Sequence, residues 1–159
     1  MKVFFRFIIL IIAIIFFTGI LFYVKDILFA PGYNTGSVCF KNNCFLVELA
    51  KTNAEIERGL MFRTHLDQNK GMIFIFNKEG IYPFWMKNTL IPLDLIWINK
   101  ENKIVFISRS SQPCSADIKN VCPSINPQAG ALYVLEINGG VSRNIGLKIG
   151  DKLDISLKQ

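Results

Sequence analysis

The feature that most constrains this chain is an apolar run at residues 7–24, which holds 18 consecutive residues without a charge. As a helix rising about 1.5 Å per residue, the run spans roughly 27 Å, close to the thickness of a bilayer's hydrocarbon core. A helix with no polar face is a poor fit to the surface of a small soluble domain. The run therefore predicts a single transmembrane helix.

The charges before the run predict its orientation. Lys2 and Arg6 precede it, and the positive-inside tendency keeps such an amino end in the cytoplasm. A cleaved signal peptide is the alternative, but its apolar region usually has about 7–15 residues and ends at a small-residue cleavage site. The run is longer than that and Leu28-Phe-Ala30 is a poor cleavage site, so we expect a retained anchor. The expected organisation is a signal-anchor at 1–25, a linker at 26–37 and an extracytoplasmic domain, periplasmic or extracellular, at 38–159.

The rest of the chain has the composition of one folded domain. With 51% hydrophobic and 19% charged residues, the chain is not disordered. About 130 residues are enough to bury a core without help from repeats. The net charge of +6 includes no run of like charges. Nucleic-acid binding would need a basic patch and the other side of the membrane, so we expect the membrane to be a partner and nucleic acid not to be one.

Four cysteines all fall in the expected exported part, where an oxidising compartment favours disulfides. Three connectivities are open, and geometry favours local pairs. If residues 41–42 form a two-residue hairpin loop, Cys39 and Cys44 face each other at a distance suited to a disulfide. Cys114 and Cys122 flank one loop in the same way. Structural zinc is the alternative, but its ligands are usually two to four residues apart, so we expect two disulfides and no metal.

Alternation and apolar runs predict a mainly β (α+β) domain. Residues 71–76, 93–98 and 104–107 are apolar on both faces and read as central strands covered on each side. Thr52 and Glu55 have the spacing of a capping box, which predicts one short helix. The other predicted strands are 38–40, 45–49, 132–137 and 153–157. We expect a compact, barrel-like or strongly curved antiparallel sheet with one short helix.

Several of these stretches carry a family resemblance. They are Glu57-Arg-Gly-Leu-Met-Phe-Arg63, Gly71-Met-Ile-Phe-Ile-Phe76, Phe84-Trp-Met-Lys-Asn-Thr-Leu-Ile-Pro-Leu-Asp94 and Tyr133-Val-Leu-Glu-Ile-Asn138, followed by Gly150-Asp151. In this order they resemble the domain-of-unknown-function 192 family, over roughly residues 45–156. The resemblance implies a small, mainly β domain behind a signal or anchor segment. It implies no activity, because none is established for that family as a whole.

Asp94 is the first candidate for a site residue, because it begins a strand that is apolar on both faces. A buried carboxylate must find a partner or stay protonated. Lys87 and the arginines at 58 and 63 are able to supply an ion pair. The functional interpretation is a polar pocket for a small or anionic ligand. Its predicted residues are Arg58, Arg63, Trp85, Lys87, Asn88, Thr89 and Asp94.

Each part of this pocket has a structural alternative. Asp94 could form an ion pair that only fixes the loop at residues 84–92. Arg58 and Arg63 could bracket an anion, or act as capping residues whose stems cover apolar surface. The aromatic residues of the block could form a platform for a sugar ring, or belong to the core. The residues in question are Phe84, Trp85, Met86 and Trp97.

Catalytic chemistry has little support in the sequence. His65 is the only histidine and lies in a polar stretch that reads as an exposed loop. One histidine and scattered carboxylates offer no metal-ligand spacing, and we expect no cofactor. Asp94 and Glu136 could act as paired carboxylates on a glycoside, although their separation cannot be read from the sequence.

The function that the sequence favours is a membrane-anchored, non-enzymatic binding module for a small or anionic ligand. One alternative is an enzyme acting on an envelope component, with Asp94 as general acid or base and Lys87 or an arginine stabilising charge. The other is a structural partner of another envelope protein.

Overall fold

A computed structural model describes residues 34–115 and 121–157. The predicted transmembrane helix and most of the predicted linker lie outside these residues. No helix within them is long and apolar enough to cross a membrane. The elements are β1 Thr35–Phe40, β2 Asn43–Ala50, α1 Asn53–Arg58, β3 Lys70–Gly80, β4 Phe84–Trp85, β5 Leu93–Ile98, β6 Ile104–Ser111, β7 Ser124–Ile125, β8 Ala131–Asn138, α2 Val141–Asn144 and β9 Asp154–Leu157.

The main sheet has seven strands in the order β6-β5-β8-β3-β2-β1-β9, and β4 and β7 form a separate pair. A mainly β fold is thus confirmed. The expectation of a purely antiparallel sheet is wrong, because β2 and β3 run parallel. A parallel pair needs a long crossover, and the segment that contains α1 supplies it.

The sheet is curved but not closed into the expected barrel. A barrel requires every strand to be hydrogen bonded to two neighbours, and β6 and β9 remain the edges. They approach each other beside their first residues, where Lys103 forms a bridge with Lys152. There the Leu153 N–H donates to the Asn102 carbonyl at 2.9 Å. The sheet therefore bends far enough for its edges to touch at one end.

Two apolar cores cover the two faces of this sheet. The first core contains Ile73, Ile96 and Leu135, and the second contains Phe74 and Trp97. Because side chains alternate along a strand, β3, β5 and β8 contribute to both cores, as expected of central strands.

Two sequence-based assignments change at the edges of the sheet. The pattern of residues 104–107 predicts a central strand, yet β6 is an edge strand, and it is apolar on both sides because it packs on both cores. β1 begins at Thr35, inside the predicted linker. Gly36 belongs to that predicted linker, but a Cβ there would lie 2.7 Å from the Ser156 carbonyl oxygen, so glycine allows β9 to approach.

Both predicted disulfides are present. Cys39 faces Cys44 across the β1–β2 hairpin, and the intervening residues 41–42 form the turn. Cys114 is joined to Cys122. The local pairing expected from the spacing is confirmed.

Candidate functional site

Asp94 is fully buried in β5 and is held by main-chain donors. The N–H groups of Ser110 and Gly140 donate to Oδ1 at 2.7 and 2.9 Å, and that of Ser142 donates to Oδ2 at 2.7 Å. Gly140 is the N-cap of α2, so the carboxylate also satisfies otherwise unpaired donors at the start of that helix. Asp94 thus ties β5 to the end of β6 and to α2.

The ion pair that the sequence offered as a structural alternative for Asp94 is not present among the described residues. Its hydrogen-bond partners are these main-chain groups, and Asp94 lies on the same face of β5 as Ile96, in the first core. Arg58 and Lys87 instead line a cavity that includes Phe74 of the second core. The sequence identified a buried carboxylate correctly but could not show that backbone N–H groups would satisfy it.

That cavity has a volume of about 240 Å³ and opens to solvent beside α1. Four predicted site residues line it, namely Arg58, Trp85, Lys87 and Thr89. Arg63, Asn88 and Asp94 do not. The complete lining is Ile56, Glu57, Arg58, Gly59, Leu60, Met61, Phe74, Pro83, Phe84, Trp85, Lys87, Thr89 and Glu136.

One wall of the cavity is the carboxyl end of α1. The predicted capping box begins this helix, with Glu55 N–H donating to Thr52 Oγ1 at 3.3 Å and Thr52 N–H donating to Glu55 Oε2 at 2.8 Å. The backbone N–H of Thr52 holds the pKa of Glu55 below its usual range. Gly59 ends the helix with φ 46° and ψ −133°. A Cβ at Gly59 would lie 3.2 Å from Phe74 Cζ and 3.8 Å from Glu136 Oε2, so a glycine keeps the cavity open there.

The opposite wall is the segment at residues 83–89. Its first part, β4, pairs with β7. Its second part is held by Cys114, whose N–H donates to the Met86 carbonyl at 3.2 Å and whose carbonyl accepts from Asn88 N–H at 2.8 Å. Because Cys114 is bonded to Cys122, that disulfide lies directly behind the wall.

Glu136 is the buried polar group of the cavity. The residue is only 5% exposed and its Oε2 atom has no hydrogen-bond partner among the described residues. Its nearest neighbours across the sheet are Met72 and Leu95. Burial raises the pKa of Glu136 to about 8, and the positive charge of Arg63 only partly opposes that shift. The group is therefore mostly a neutral carboxylic acid at pH 7, able to donate a hydrogen bond.

The sequence pattern indicates Glu136 only as a partner of Asp94, and Glu136 is not among the predicted pocket residues. The structure separates the two carboxyls. In the β5–β8 register, Leu95 is opposite Glu136 while Asp94 is opposite Ile137, so the two carboxyls lie on opposite faces. They cannot flank one glycosidic bond. A usable signal was present, because Glu136 interrupts an apolar strand as Asp94 does.

The remaining polar candidates do not line the cavity. Arg63 forms a bidentate pair with Glu48 at 2.5 and 2.6 Å, so it does not join Arg58 around one anion in this structure. Asn88 adopts φ 55°, and its Nδ2 lies 4.0 Å from the sulfur of Met61. His65 is exposed, as expected, and its Nε2 atom lies 3.0 Å from an oxygen of Asp67.

The aromatic block divides between core and cavity. Trp97 and Met86 are buried in the second core. Trp85 is 45% exposed at the mouth of the cavity, with Lys87 Nζ 5.0 Å from the centre of its ring. Phe84 lines the cavity and packs edge-on against Phe74, with ring centres 4.9 Å apart. The block is therefore partly core and partly an aromatic wall.

A second, more open cleft of about 370 Å³ lies beside the β1–β2 turn. Its polar lining within the described residues consists of carboxamides, including Asn42, Gln68 and Asn144, and contains no ionisable side chain. None of these lining residues has a buried side-chain atom without a partner. Among the described residues, the cavity of Glu136 is the stronger candidate site.

Comparison with known proteins gives a family but no activity. The DUF192 family model, described as Uncharacterized ACR, matches residues 37–155. The fold is similar to the crystal structure of a proposed transcription regulator from Sinorhizobium meliloti 1021, with 30% identity and a TM-score of 0.69 over 77% of this chain and 95% of that one. It is also similar to a protein of unknown function from Novosphingobium aromaticivorans DSM 12444, with 36% identity and a TM-score of 0.65 over 76% of this chain and 83% of that one. No curated protein shows significant similarity.

Proposed function

The chain belongs to the DUF192 family of uncharacterised proteins, and we propose that its folded domain is a binding module for a small molecule that occupies the Glu136 cavity. The observation that carries the proposal is the Oε2 atom of Glu136, which lies in the wall of an open cavity and has no hydrogen-bond partner in the part of the chain that the structure describes. A buried polar atom without a partner costs about 1–3 kcal/mol. A ligand that hydrogen bonds to this atom recovers that cost.

The cavity also offers charge and apolar surface to a ligand. In the described parts of the chain, neither Arg58 nor Lys87 forms an ion pair with a carboxylate. Trp85 and Phe84 supply aromatic contact area beside them. Sites for drug-sized ligands usually have volumes of about 300–1,000 Å³. At about 240 Å³ the cavity suits a smaller molecule.

We further propose that this module is anchored in a membrane and faces an oxidising, extracytoplasmic compartment. The apolar run at residues 7–24 and the two disulfides support this location. The description of the Sinorhizobium protein as a transcription regulator is not carried over, since the proposed location keeps the domain away from DNA.

The enzyme hypothesis loses its reacting group. Asp94 is enclosed by three main-chain donors and does not line the cavity. A general acid or base must come within hydrogen-bond reach of the substrate. An envelope enzyme that uses Asp94 is therefore not favoured by this geometry.

A thermal-shift screen of the full-length chain in non-ionic detergent, against envelope metabolites and glycans, tests the binding function. We expect compounds that raise the melting temperature of the wild-type chain and lose that effect in Trp85→Ala. Ile149→Ala is the matched control, because Ile149 is also exposed but lies outside the cavity. A screen without hits, or hits that Trp85→Ala leaves unchanged, would contradict a ligand in this cavity.

A further inference from the structure

We propose that the ligand of the Glu136 cavity is a small monocarboxylate with a flat apolar body, whose carboxylate group lies against Glu136, Arg58 and Lys87. This inference rests on the proposed binding function and adds the chemical class of the ligand. It follows from the hydrogen-bonding character, the charge and the shape of the lining.

The polar side chains that line the cavity are mainly donors. Arg58 and Lys87 can only donate hydrogen bonds. Glu136, when protonated, donates from an oxygen that has no partner within the described residues. Thr89 Oγ1 already lies 3.5 Å from the Lys87 carbonyl. A ligand group that satisfies these donors must accept several hydrogen bonds, as the two oxygens of a carboxylate do.

The charge of the lining favours a single negative charge on the ligand. Among the described residues, four ionisable side chains line the cavity. Arg58 and Lys87 are cations, and Glu57 and Glu136 are the two acids. With Glu136 neutral, these groups leave one positive charge to be balanced. A monocarboxylate balances it, whereas a phosphate dianion exceeds it.

The apolar part of the lining favours a flat ligand body. Phe74, Phe84 and Trp85 all contribute to the wall. Planar groups pack on aromatic rings by stacking and by edge contacts. We therefore expect the carboxylate to meet Glu136, Arg58 and Lys87 while the body of the ligand lies against these rings.

Protonation of Glu136 links this binding to pH. Among the described residues, the charged groups around it are Glu57 and Arg58 of α1, Arg63, Glu48 of β2, and Lys87 in the opposite wall. Because burial raises the pKa of Glu136 to about 8, the donor form predominates below that pH. Above it, the ionised carboxyl repels a carboxylate ligand, so affinity falls as pH rises.

Isothermal titration of the full-length chain in non-ionic detergent tests the ligand class with benzoate and 2-naphthoate against their primary amides. We expect each carboxylate to bind at least tenfold more tightly than its amide at pH 6.5. Arg58→Gln with Lys87→Gln should abolish that preference. Arg143→Gln with Lys148→Gln removes the same charges outside the cavity and should preserve it.

Variants of Glu136 test the proton donor. Wild-type affinity for benzoate should be about tenfold lower at pH 9 than at pH 6.5, since roughly a tenth of Glu136 is then protonated. Glu136→Gln keeps an N–H donor, so it should bind benzoate at pH 6.5 within about threefold of wild type and lose this pH dependence. Asp154→Asn, which removes an exposed carboxylate on β9, should leave the pH dependence unchanged.

The outcomes separate the two proposals. Amides that bind as tightly as their acids, or phenyl phosphate that binds more tightly than benzoate, would overturn the monocarboxylate class while the binding function stands. A pH dependence that persists in Glu136→Gln would remove Glu136 as the donor. If neither these probes nor the screened compounds bind, the binding function itself fails.

Discussion

Two buried carboxyls in neighbouring central strands have opposite environments. Asp94 receives three main-chain N–H groups, whereas the Oε2 atom of Glu136 receives no hydrogen bond from the described residues. Three charge-assisted hydrogen bonds compensate the burial of a carboxylate. Without them, burial favours the neutral acid. One carboxyl is therefore structural and the other is available for a ligand.

The first residue-scale prediction concerns stability against pH. The pKa of Glu136 is about 8 in the folded chain, whereas an unperturbed glutamate has a pKa of 4.5. Because the folded pKa is the higher one, the stability from the neutral acid is fully present below pH 4.5. It is lost at about 1.4 kcal/mol per pH unit as pH rises towards 8, and is constant above that.

Glu136→Gln removes this titration while keeping the size of the side chain. Urea denaturation of both chains should give nearly equal unfolding free energies at pH 4.5. At pH 8 the variant should be more stable, by a difference on the order of 4 kcal/mol. A difference between the chains that does not change with pH would show that Glu136 ionises normally in the folded state.

The second residue-scale prediction concerns Asp94→Asn. The amide keeps one acceptor oxygen but directs an NH₂ group at a main-chain donor, so we expect a loss of about 2–4 kcal/mol in the free energy of unfolding. Asp154→Asn makes the same change on an exposed strand and should stay within about 0.5 kcal/mol of wild type. Benzoate binding by folded Asp94→Asn should match wild type. A loss of binding without a loss of stability would return Asp94 to the ligand site.

The sequence predicts individual residues only as far as local periodicity reaches. It placed Asp94 in a buried strand, and it put Arg58, Trp85, Lys87 and Thr89 in one pocket, which they line. It could not assign the donors to Asp94. These donors are the backbone N–H groups of Ser110, Gly140 and Ser142, which are distant from Asp94 in sequence. Main-chain donors leave no side-chain signature.

At the scale of elements, the cavity depends on how its wall at residues 83–89 is held. This segment has only the two residues of β4 in regular structure. Its other backbone hydrogen bonds to the rest of the described chain run to Cys114 and to Phe62, whose N–H donates to the Asn88 carbonyl at 2.8 Å. We therefore expect the Cys114–Cys122 disulfide to help position this wall in addition to stabilising the chain.

The element-scale prediction compares the two disulfides. Cys114→Ser with Cys122→Ser and Cys39→Ser with Cys44→Ser should each lower the free energy of unfolding by about 2–3 kcal/mol, by loop entropy. Only the first pair should also weaken benzoate binding, measured by titration at a temperature where both variants are folded. Cys44 lies in the other cleft, away from the Glu136 cavity, so its pair is the control. Equal effects on binding would show that the wall does not need its disulfide.

Elements with strong local signals were predicted best. The capping box of α1, the hairpin turn between Cys39 and Cys44, and the central strands β3 and β5 follow from spacing alone. The parallel β2–β3 pair and the edge position of β6 do not, since strand neighbours are chosen by long-range packing. The start of the four-residue α2 is stabilised by Asp94 of β5, which is distant from it in sequence.

At the scale of the whole molecule, the two faces of one sheet have separate roles. The first core covers the face of the sheet that carries Asp94. The second core covers the opposite face and leaves a cavity beside α1 and β4. An open sheet allows this division, because a closed barrel of few strands fills its interior with side chains. The expectation of a barrel came from counting strands, which does not determine whether the edge strands pair.

The whole-molecule prediction concerns the anchor. If residues 7–24 span a membrane, one lysine near the centre costs about 2.5–3.5 kcal/mol of insertion free energy. Wild-type chain expressed in a bacterium should sediment with membranes after a carbonate wash and carry two disulfides by non-reducing mass measurement. Ile14→Lys with Ile15→Lys should move it to the soluble cytosolic fraction with four free thiols. Ile81→Lys with Ile149→Lys alters exposed residues of the domain and should behave as wild type. A wild-type product that is soluble and reduced would contradict the oxidising compartment that both disulfides imply. A soluble, oxidised product that lacks the apolar run would show that the run is a cleaved signal peptide and not an anchor.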